Sequence, residues 1–232
     1  MDKPLSLRER KKRATRITLG LAALDLFEER GFDNVSVAEV AEAAGVSKKT
    51  VFNYFEVKED LVLGFGAHHI DEPAEAVRNR KPGQTPLDAM RDYVMTALEE
   101  RQPLLGLSGD AIVMRVQSLV RRTPALQVRH MEYMEMTRAR LAEALVEEKG
   151  SRLTARLVAT QLYSTQQVLA AENARRVLEG ESPDDVYPDA VANAQHAFDW
   201  LERGFGDLLR RPPEGDRGSP AEGRGISGAS GP

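Results

Sequence analysis

Prolines and apolar periodicity together restrict this chain to a helical fold. In the segments between the prolines, apolar residues recur every three or four positions, which is the spacing of a helix with one buried face rather than the alternation of a strand. Thr85–Pro86 and Thr123–Pro124 each combine a helix-capping side chain with a proline suited to the first helical turn. The sequence shows no alternating strand pattern and no internal repeat. It therefore predicts an all-α fold.

The same pattern predicts where the longer helices lie. An early helix carries apolar residues from Ile17 to Phe27 and ends at Gly31, because glycine readily adopts the left-handed conformation of a helix terminus. The later helices are expected at about 86–101, 124–150, 153–179 and 185–211.

The C-terminal segment has a different composition. From Pro212 onward, Gly, Pro, Ser and Ala fill 15 of 21 positions, and Ile226 is the only large apolar residue. Such a segment cannot bury enough apolar surface to offset its ordering entropy. Residues 212–232 are therefore expected to form a disordered tail.

Charge and composition limit the classes of function. The 232 residues carry a formal net charge of −4, yet seven of the first sixteen are Lys or Arg. Such a basic run is commonly a solvated helix face and otherwise an arm for nucleic acid or anionic lipid, and charge alone leaves both open. The absence of cysteine excludes disulfides and thiolate chemistry. No apolar run reaches the length of a signal-peptide core or a membrane span, which favours a soluble, cytoplasmic protein without a membrane partner.

A short segment in the first quarter of the chain has the pattern of two helices joined by a glycine turn. Ser36 followed by Glu39 is a capping box that places a helix at about 37–44. Gly45 can turn the chain with a positive φ, and Ser47 can cap a second helix at about 48–55. This arrangement is typical of a helix-turn-helix, which sets its second helix in the major groove of DNA.

The outward face of the second helix suits that role. Lysines can reach guanine acceptors or phosphates, asparagine can pair with adenine, and threonine offers a hydroxyl and a methyl group. These outward residues are Lys48, Lys49, Thr50, Asn53 and Tyr54. A helical hairpin with a solvated polar face would show the same spacing, so spacing alone leaves both interpretations open.

Residues from about Arg13 to Leu63 resemble the DNA-binding domain of the tetracycline-repressor (TetR) family of bacterial regulators. The matching residues are Ala23, Phe27, Gly31, Phe32, Val37, Val40, Ala41, the run Ala44-Gly45-Val46-Ser47, the run Thr50 to Phe55, and the run Lys58 to Leu61. The resemblance implies an N-terminal three-helix helix-turn-helix DNA-binding domain and a larger helical ligand-binding and dimerisation domain. The expected parts are 1–57, with the basic arm and helix-turn-helix, 58–211, which binds effector and dimerises, and the tail at 212–232.

The resemblance also implies which residues touch DNA. The family usually has tyrosine where Phe52 stands and often histidine where Tyr54 stands, so the backbone contacts are expected to differ there. Lys58 is carried over as a phosphate contact at the start of the next helix, together with Ser36 and the basic arm. The full predicted set is Arg8, Arg10, Lys11, Lys12, Arg13, Ser36, Ser47, Lys48, Lys49, Thr50, Phe52, Asn53, Tyr54 and Lys58.

The resemblance further implies a small-molecule effector pocket among the middle helices. Methionines would give an adaptable apolar wall and amides a few polar anchors, although an ordinary core shows the same methionine spacing. The candidate lining residues are Met90, Tyr93, Met114, Gln117, Met134 and Gln166.

The last predicted helix carries an apolar seam at heptad spacing that begins at Tyr187. We expect it to form the interface of a homodimer through Val191, Ala194, Phe198, Leu201, Phe205 and Leu208. The alternative is that the seam packs on the preceding helix of its own chain.

No sequence motif supports catalysis, because the nucleophile-elbow, phosphate-loop, zinc-protease and dinucleotide motifs are absent from the sequence. His68 and Glu72 stand at i and i+4, a spacing that can hold a metal but more commonly forms a surface pair. We therefore expect no enzyme, metal or cofactor. The sequence favours a ligand-responsive transcriptional repressor that binds a palindromic operator as a homodimer. The alternative is an interaction protein whose basic head binds anionic lipid or a protein partner.

Overall fold

A computed structural model describes residues 6–146 and 151–205, apart from the side chains of residues 67, 68 and 205. Within these ranges the chain is helical and contains no strand, as the apolar spacing predicts. The ten α-helices are α1 (Leu7–Arg30), α2 (Val37–Ala43), α3 (Lys48–Phe52), α4 (Asp60–Leu63), α5 (Glu72–Arg78), α6 (Pro86–Glu99), α7 (Ala111–Arg122), α8 (Pro124–Val146), α9 (Arg152–Leu178) and α10 (Pro183–Phe205). Short 3₁₀ turns follow at Phe32–Asn34, Gly64–His69 and Pro103–Leu105.

The helices enclose two apolar clusters. The first, which we call the head cluster, is built from α1 to α4, but it also takes in Leu119 at the end of α7 and Leu126 at the start of α8. The second, the body cluster, is formed mainly by α5, α6, α8, α9 and α10. The head therefore does not close its core alone, because two side chains of the body complete it.

Most helix limits agree with the sequence pattern. Thr85 caps α6 through a reciprocal capping box with Asp88, and Gly31 ends α1 with a φ of 84°. The second helix of the turn motif is shorter than expected, since α3 ends at Phe52 and Asn53 is its C-cap. The pattern also gave no separate limits for α7, which the structure shows at Ala111–Arg122. The predicted helix ends at 150 and 211 and the tail at 212–232 lie outside the described residues.

The basic N-terminal stretch is helical and not an extended arm in the described residues. Ser6 caps α1 through a capping box: its hydroxyl accepts from the Glu9 backbone N–H at 3.2 Å, and the Glu9 carboxylate accepts from the Ser6 backbone N–H at 2.8 Å. Further along α1, a Cβ at Gly20 would lie 2.2 Å from the Phe65 ring. Glycine at this position therefore allows the segment after α4 to pack directly on α1.

The seam on α10 packs into its own subunit, which corrects part of the expected dimer interface. Ala194 and Phe198 are 0% exposed in the single chain and belong to the body cluster. Val191 and Leu201 are half-buried against the same cluster. A side chain without exposed surface cannot be covered by a partner, so the interface assigned to Ala194 and Phe198 is wrong. The side chain of Phe205 and the whole of Leu208 lie outside the described residues.

Within 6–146 and 151–205, no helix combines the length and the apolarity needed to cross a membrane.

Candidate nucleic-acid interface

The helix-turn-helix is fixed by caps at both of its helices. The Ser36 hydroxyl accepts from the Glu39 backbone N–H at 3.3 Å, and the Glu39 carboxylate accepts from the Ser36 backbone N–H at 2.8 Å. The Arg30 guanidinium donates to Glu39 at 2.6 Å and so ties the end of α1 to α2. The Ser36 hydrogen bonds, and then the one from Arg30, lower the pKa of Glu39 from 4.5 to about 2. The Glu39 carboxylate is therefore charged at neutral pH, and in that form it stabilises the first turn of α2.

The turn between α2 and α3 depends on Gly45, whose φ of 67° favours a residue without a Cβ. The Val46 backbone N–H closes the turn by donating to the Ala41 carbonyl at 2.9 Å. Ser47 then caps α3 by accepting from the Thr50 backbone N–H at 3.1 Å, and the two hydroxyls lie 2.8 Å apart. The Thr50 hydroxyl is therefore partly engaged within the cap.

The exposed surface of α3 and its C-cap offers four side chains of three chemical kinds. Lys48, Lys49, Phe52 and Asn53 are exposed, and the Lys48 ammonium lies 5.9 Å from the centre of the Phe52 ring. Tyr54 is half-buried and packs against the head cluster. The structure therefore brings together two cations, an aromatic ring and an amide on one surface, which suits contacts to phosphates and to base edges in a groove.

Lys58 makes contacts within its own subunit that the sequence did not predict. Its ammonium donates to the Phe32 carbonyl and lies 4.1 Å from the centre of the Phe32 ring and 5.3 Å from that of Phe27. Burial is the main cause of a lowered Lys58 pKa. Helix α4 also begins two residues later, at Asp60. In this structure the half-buried ammonium is engaged by the Phe32 carbonyl, and the phosphate contact expected at Lys58 stays a prediction.

Arg16 is a positioning residue that the sequence analysis missed. Its guanidinium donates to the Gly64 carbonyl at 2.8 Å and lies 4.9 Å from the centre of the Phe55 ring. It therefore joins α1 to the segments after α3 and α4. A signal was present in the sequence, because Arg16 shares the helical phase of the buried residues Leu19 and Ala23.

The basic residues near the start of α1 are all exposed: Arg8, Arg10, Lys11, Lys12 and Arg13. Buried residues of α1 begin only at Leu19, so the first three turns stand clear of the core. Cations near a helix N-terminus oppose the helix dipole. Contact with an anion would relieve that repulsion.

The candidate effector residues lie in a closed body. Met90 and Gln166 are fully buried, Met114 and Met134 pack against the body cluster, and Tyr93 donates to Glu72 at 2.8 Å. Neither amide atom of Gln166 has a hydrogen-bond partner among the described residues. Burial, followed by the Glu72 hydrogen bond, raises the pKa of Tyr93 well above its usual range. Gln117 is half-buried on α7.

Two surface depressions involve other residues. One, of about 250 Å³, is lined by Ser118, Arg121, Leu178 and Glu179. The other, of about 270 Å³, lies where α9 meets α10 and is lined by Ser164, Thr165, Val168, Leu169 and Ala197. Neither is lined by a residue expected to contact the effector.

The Glu72 carboxylate, whose spacing from His68 could hold a metal, lies 2.7 Å from Nδ1 of the His69 ring.

Comparison with known proteins places this head among DNA-binding regulators. A family model described as bacterial regulatory proteins of the tetR family matches residues 21–64. The chain is 35% identical over 147 residues to the HTH-type transcriptional regulator TcmR of Streptomyces glaucescens, covering 62% of this chain and 64% of that protein. It is 33% identical over 78 residues to the HTH-type transcriptional regulator RutR of Escherichia coli K12, covering 34% and 37%. The chain thus spans less than two thirds of the length of either relative.

The fold is shared with a solved structure. Native NalD, the secondary repressor of the MexAB-OprM multidrug efflux pump in Pseudomonas aeruginosa, is similar with a TM-score of 0.52 at 20% identity, covering 80% of this chain and 97% of that one. The helix-turn-helix geometry, the matched family model and the related regulators agree. Residues 21–64 therefore carry the helix-turn-helix domain of the tetR family of bacterial regulatory proteins, and the chain is similar to regulators of that kind.

Proposed function

We propose that this chain is an effector-responsive transcriptional repressor that binds a palindromic operator as a homodimer in the cytoplasm. The observation that carries the proposal is the surface of α3, where Lys48, Lys49, Phe52 and Asn53 are exposed on a capped helix-turn-helix. The likeness to TcmR covers 147 residues, which is more than the 57 residues assigned to the head, so it continues into the body. The proposed role is regulatory rather than catalytic.

The proposed organisation keeps the head at 1–57 and the effector-binding and dimerising body at 58–211. A buried amide and adaptable methionines in the body support a pocket that opens around a small molecule. The proposed DNA contacts are the α3 surface and the basic turns of α1. Ser36, Ser47 and Thr50 contribute through the caps that orient α3, and Tyr54 lies at its rim.

The dimer is proposed to form through the outer faces of α9 and α10. Leu157 and Val168 are 57% and 69% exposed on α9, and eleven positions, or about three turns, place them on one face. Trp200 is 61% exposed on α10. The 270 Å³ depression between the two helices joins Val168 to Ala197. A partner's copy of these faces would form a four-helix bundle and cover apolar surface that is otherwise exposed to water.

The oligomeric state tests this interface. Leu157→Glu with Val168→Glu should give a folded monomer by sedimentation, because both side chains lie on the surface of the subunit. Val128→Glu is the matched control, since Val128 is 52% exposed on α8, and it should remain dimeric. A double variant that sediments as a dimer would contradict the assignment of this face.

The proposed function is tested by selecting genomic fragments that bind the full chain. A palindromic sequence should be enriched and bound with a strong salt dependence, and candidate metabolites should release it. Vesicles of anionic lipid serve as the competing target. Equal binding to scrambled DNA, or preference for the vesicles, would favour the interaction protein with a basic head.

A further inference from the structure

The contact between α4 and α8 contains a buried carboxylate that accepts three hydrogen bonds from two side chains. Asp60 begins α4, and its side chain is 9% exposed. Arg129 of α8 donates from Nε to Oδ1 at 2.9 Å and from Nη2 to Oδ2 at 3.0 Å. The Tyr133 hydroxyl, one turn further along α8, donates to Oδ1 at 2.6 Å. A forked pair with a third donor fixes distance and angle together, which apolar packing alone does not do.

The donors are themselves held in place. Arg129 also donates from Nη1 to Glu132 at 2.8 Å, which orients the plane of its guanidinium. Tyr133 packs against the head cluster, and burial followed by the hydrogen bond to Asp60 raises its pKa to about 12. The phenol therefore remains a donor at neutral pH. Arg129 is thus charged and Tyr133 is protonated, as their hydrogen bonds to Asp60 require.

Helix α4 lies just past the proposed limit of the head at residue 57, but it packs in the head cluster beside the DNA-facing helices. Seven residues separate Phe52 at the end of α3 from Asp60. Leu61, Val62 and Leu63 are buried in the head cluster, and Arg16 binds the Gly64 carbonyl directly after α4. Whatever fixes α4 on the body therefore fixes the orientation of α3.

A second ionic contact between head and body is more exposed. Arg115 of α7 donates to Glu28 and Asp25 of α1, both at 2.5 Å, with side-chain exposures of 26% and 67% for the two carboxylates. Ion pairs open to water constrain geometry weakly. The Asp60 contact is therefore the more directional of the two.

We propose that Asp60, Arg129 and Tyr133 act as positioning residues that lock the head on the body and so set the half-site spacing that the dimer accepts. This inference rests on the proposed function. If the bodies pair across a two-fold axis, a locked head fixes the distance between the two α3 helices, which must match half-sites about 34–36 Å apart. Without the lock, the remaining contacts are apolar packing and the exposed ion pairs of Arg115, which constrain direction weakly, so each head can tilt and accept other spacings.

The experiment compares affinities for the selected operator with those for operators that carry one or two base pairs more or fewer between the half-sites. Asp60→Leu with Arg129→Met removes both charges and leaves no unpaired buried ion. Tyr133→Phe removes one donor and keeps the ring. Arg175→Met is the control, because Arg175 pairs with Glu172 in α9 and with Glu179 at the C-cap of the same helix.

The quantity measured is the ratio of Kd on altered spacing to Kd on the selected spacing. Wild type and Arg175→Met should show a large ratio, the double variant a ratio that falls towards one, and Tyr133→Phe a value between them. A loss of folded protein scales every Kd equally and leaves the ratio unchanged. An unchanged ratio in Tyr133→Phe and in a folded, dimeric double variant overturns the proposal, and Tyr133→Phe decides alone if the double variant unfolds. A wild-type chain without preference for a palindrome instead overturns the proposed function, and this inference with it.

Discussion

At the scale of single residues, different side chains of the α3 surface are expected to read the DNA sequence and to attract its phosphates. Asn53 is exposed at the C-cap of α3 and has both a donor and an acceptor for a base edge. Lys48 and Lys49 can bind backbone phosphates whatever the DNA sequence. The amide is therefore the group whose loss should depend on which DNA is bound.

We expect Asn53→Ala to weaken operator binding by about 1–3 kcal/mol, the value of a paired base contact. Binding to random DNA should change little, because phosphate contacts are retained. Fluorescence anisotropy on both DNAs measures the difference. Equal losses on operator and random DNA would remove Asn53 from sequence readout.

Glu39 gives a residue-level prediction for pH. Its pKa is lowered to about 2 in the folded chain, mainly by Ser36, so its stabilisation is complete above the usual 4.5 and is lost as the pH falls towards 2. Melting curves of wild type and Glu39→Gln between pH 5 and 2.5 should therefore converge as the pH falls. A constant difference in melting temperature across that range would show that the charge of Glu39 does not stabilise the head.

At the scale of elements, α1 serves two purposes along its length. From Arg16 onward it packs in the head cluster, while its first turns are capped by Ser6 and have exposed side chains, most of them basic. The first turns therefore contribute charge, and the later ones contribute stability and position.

Removal of residues 1–12 should weaken binding to operator and random DNA by similar factors and flatten the dependence of log K on log salt, because fewer counterions are released. Replacement of Arg8, Lys11 and Lys12 by glutamine in the full chain separates charge from helix length and should have the same effect. A selective loss on the operator would instead assign base readout to these turns.

At the scale of the whole molecule, α10 packs one face on the body, and the proposed dimer would cover the opposite face. Ala194 and Phe198 pack inward, whereas Trp200 is exposed and contacts the ring of His196, with centroids 4.4 Å apart. The inward face holds the subunit together, so damage to it differs from damage to the outer face.

Phe198→Glu with Leu201→Glu should unfold the body, because a carboxylate at the fully buried position 198 has no compensating charge. Circular dichroism should show loss of helix, and no soluble monomer should remain. This result contrasts with the folded monomer expected for the Leu157 and Val168 variant. A double variant that is folded and monomeric would support the α10 seam as the dimer interface.

Structural features that depend on neighbours within about four positions could be predicted from the sequence alone. Capping by Ser36, Ser47 and Thr85 and the left-handed turns at Gly31 and Gly45 all appear where the pattern predicts them. Each follows from backbone geometry and from hydrogen bonds that close inside one turn.

The partner against which each helix face packs follows only from the tertiary structure. Periodicity identifies a buried stripe but not its partner, so it cannot separate Phe198, packed in its own subunit, from Val168, exposed on the neighbouring helix. For the same reason, the family resemblance implied only a phosphate contact for Lys58 and no role for Asp60, since the groups that contact them in the structure, the Phe32 carbonyl and Arg129, lie 26 and 69 positions away. Contacts between residues so far apart in sequence form only once the helices have packed.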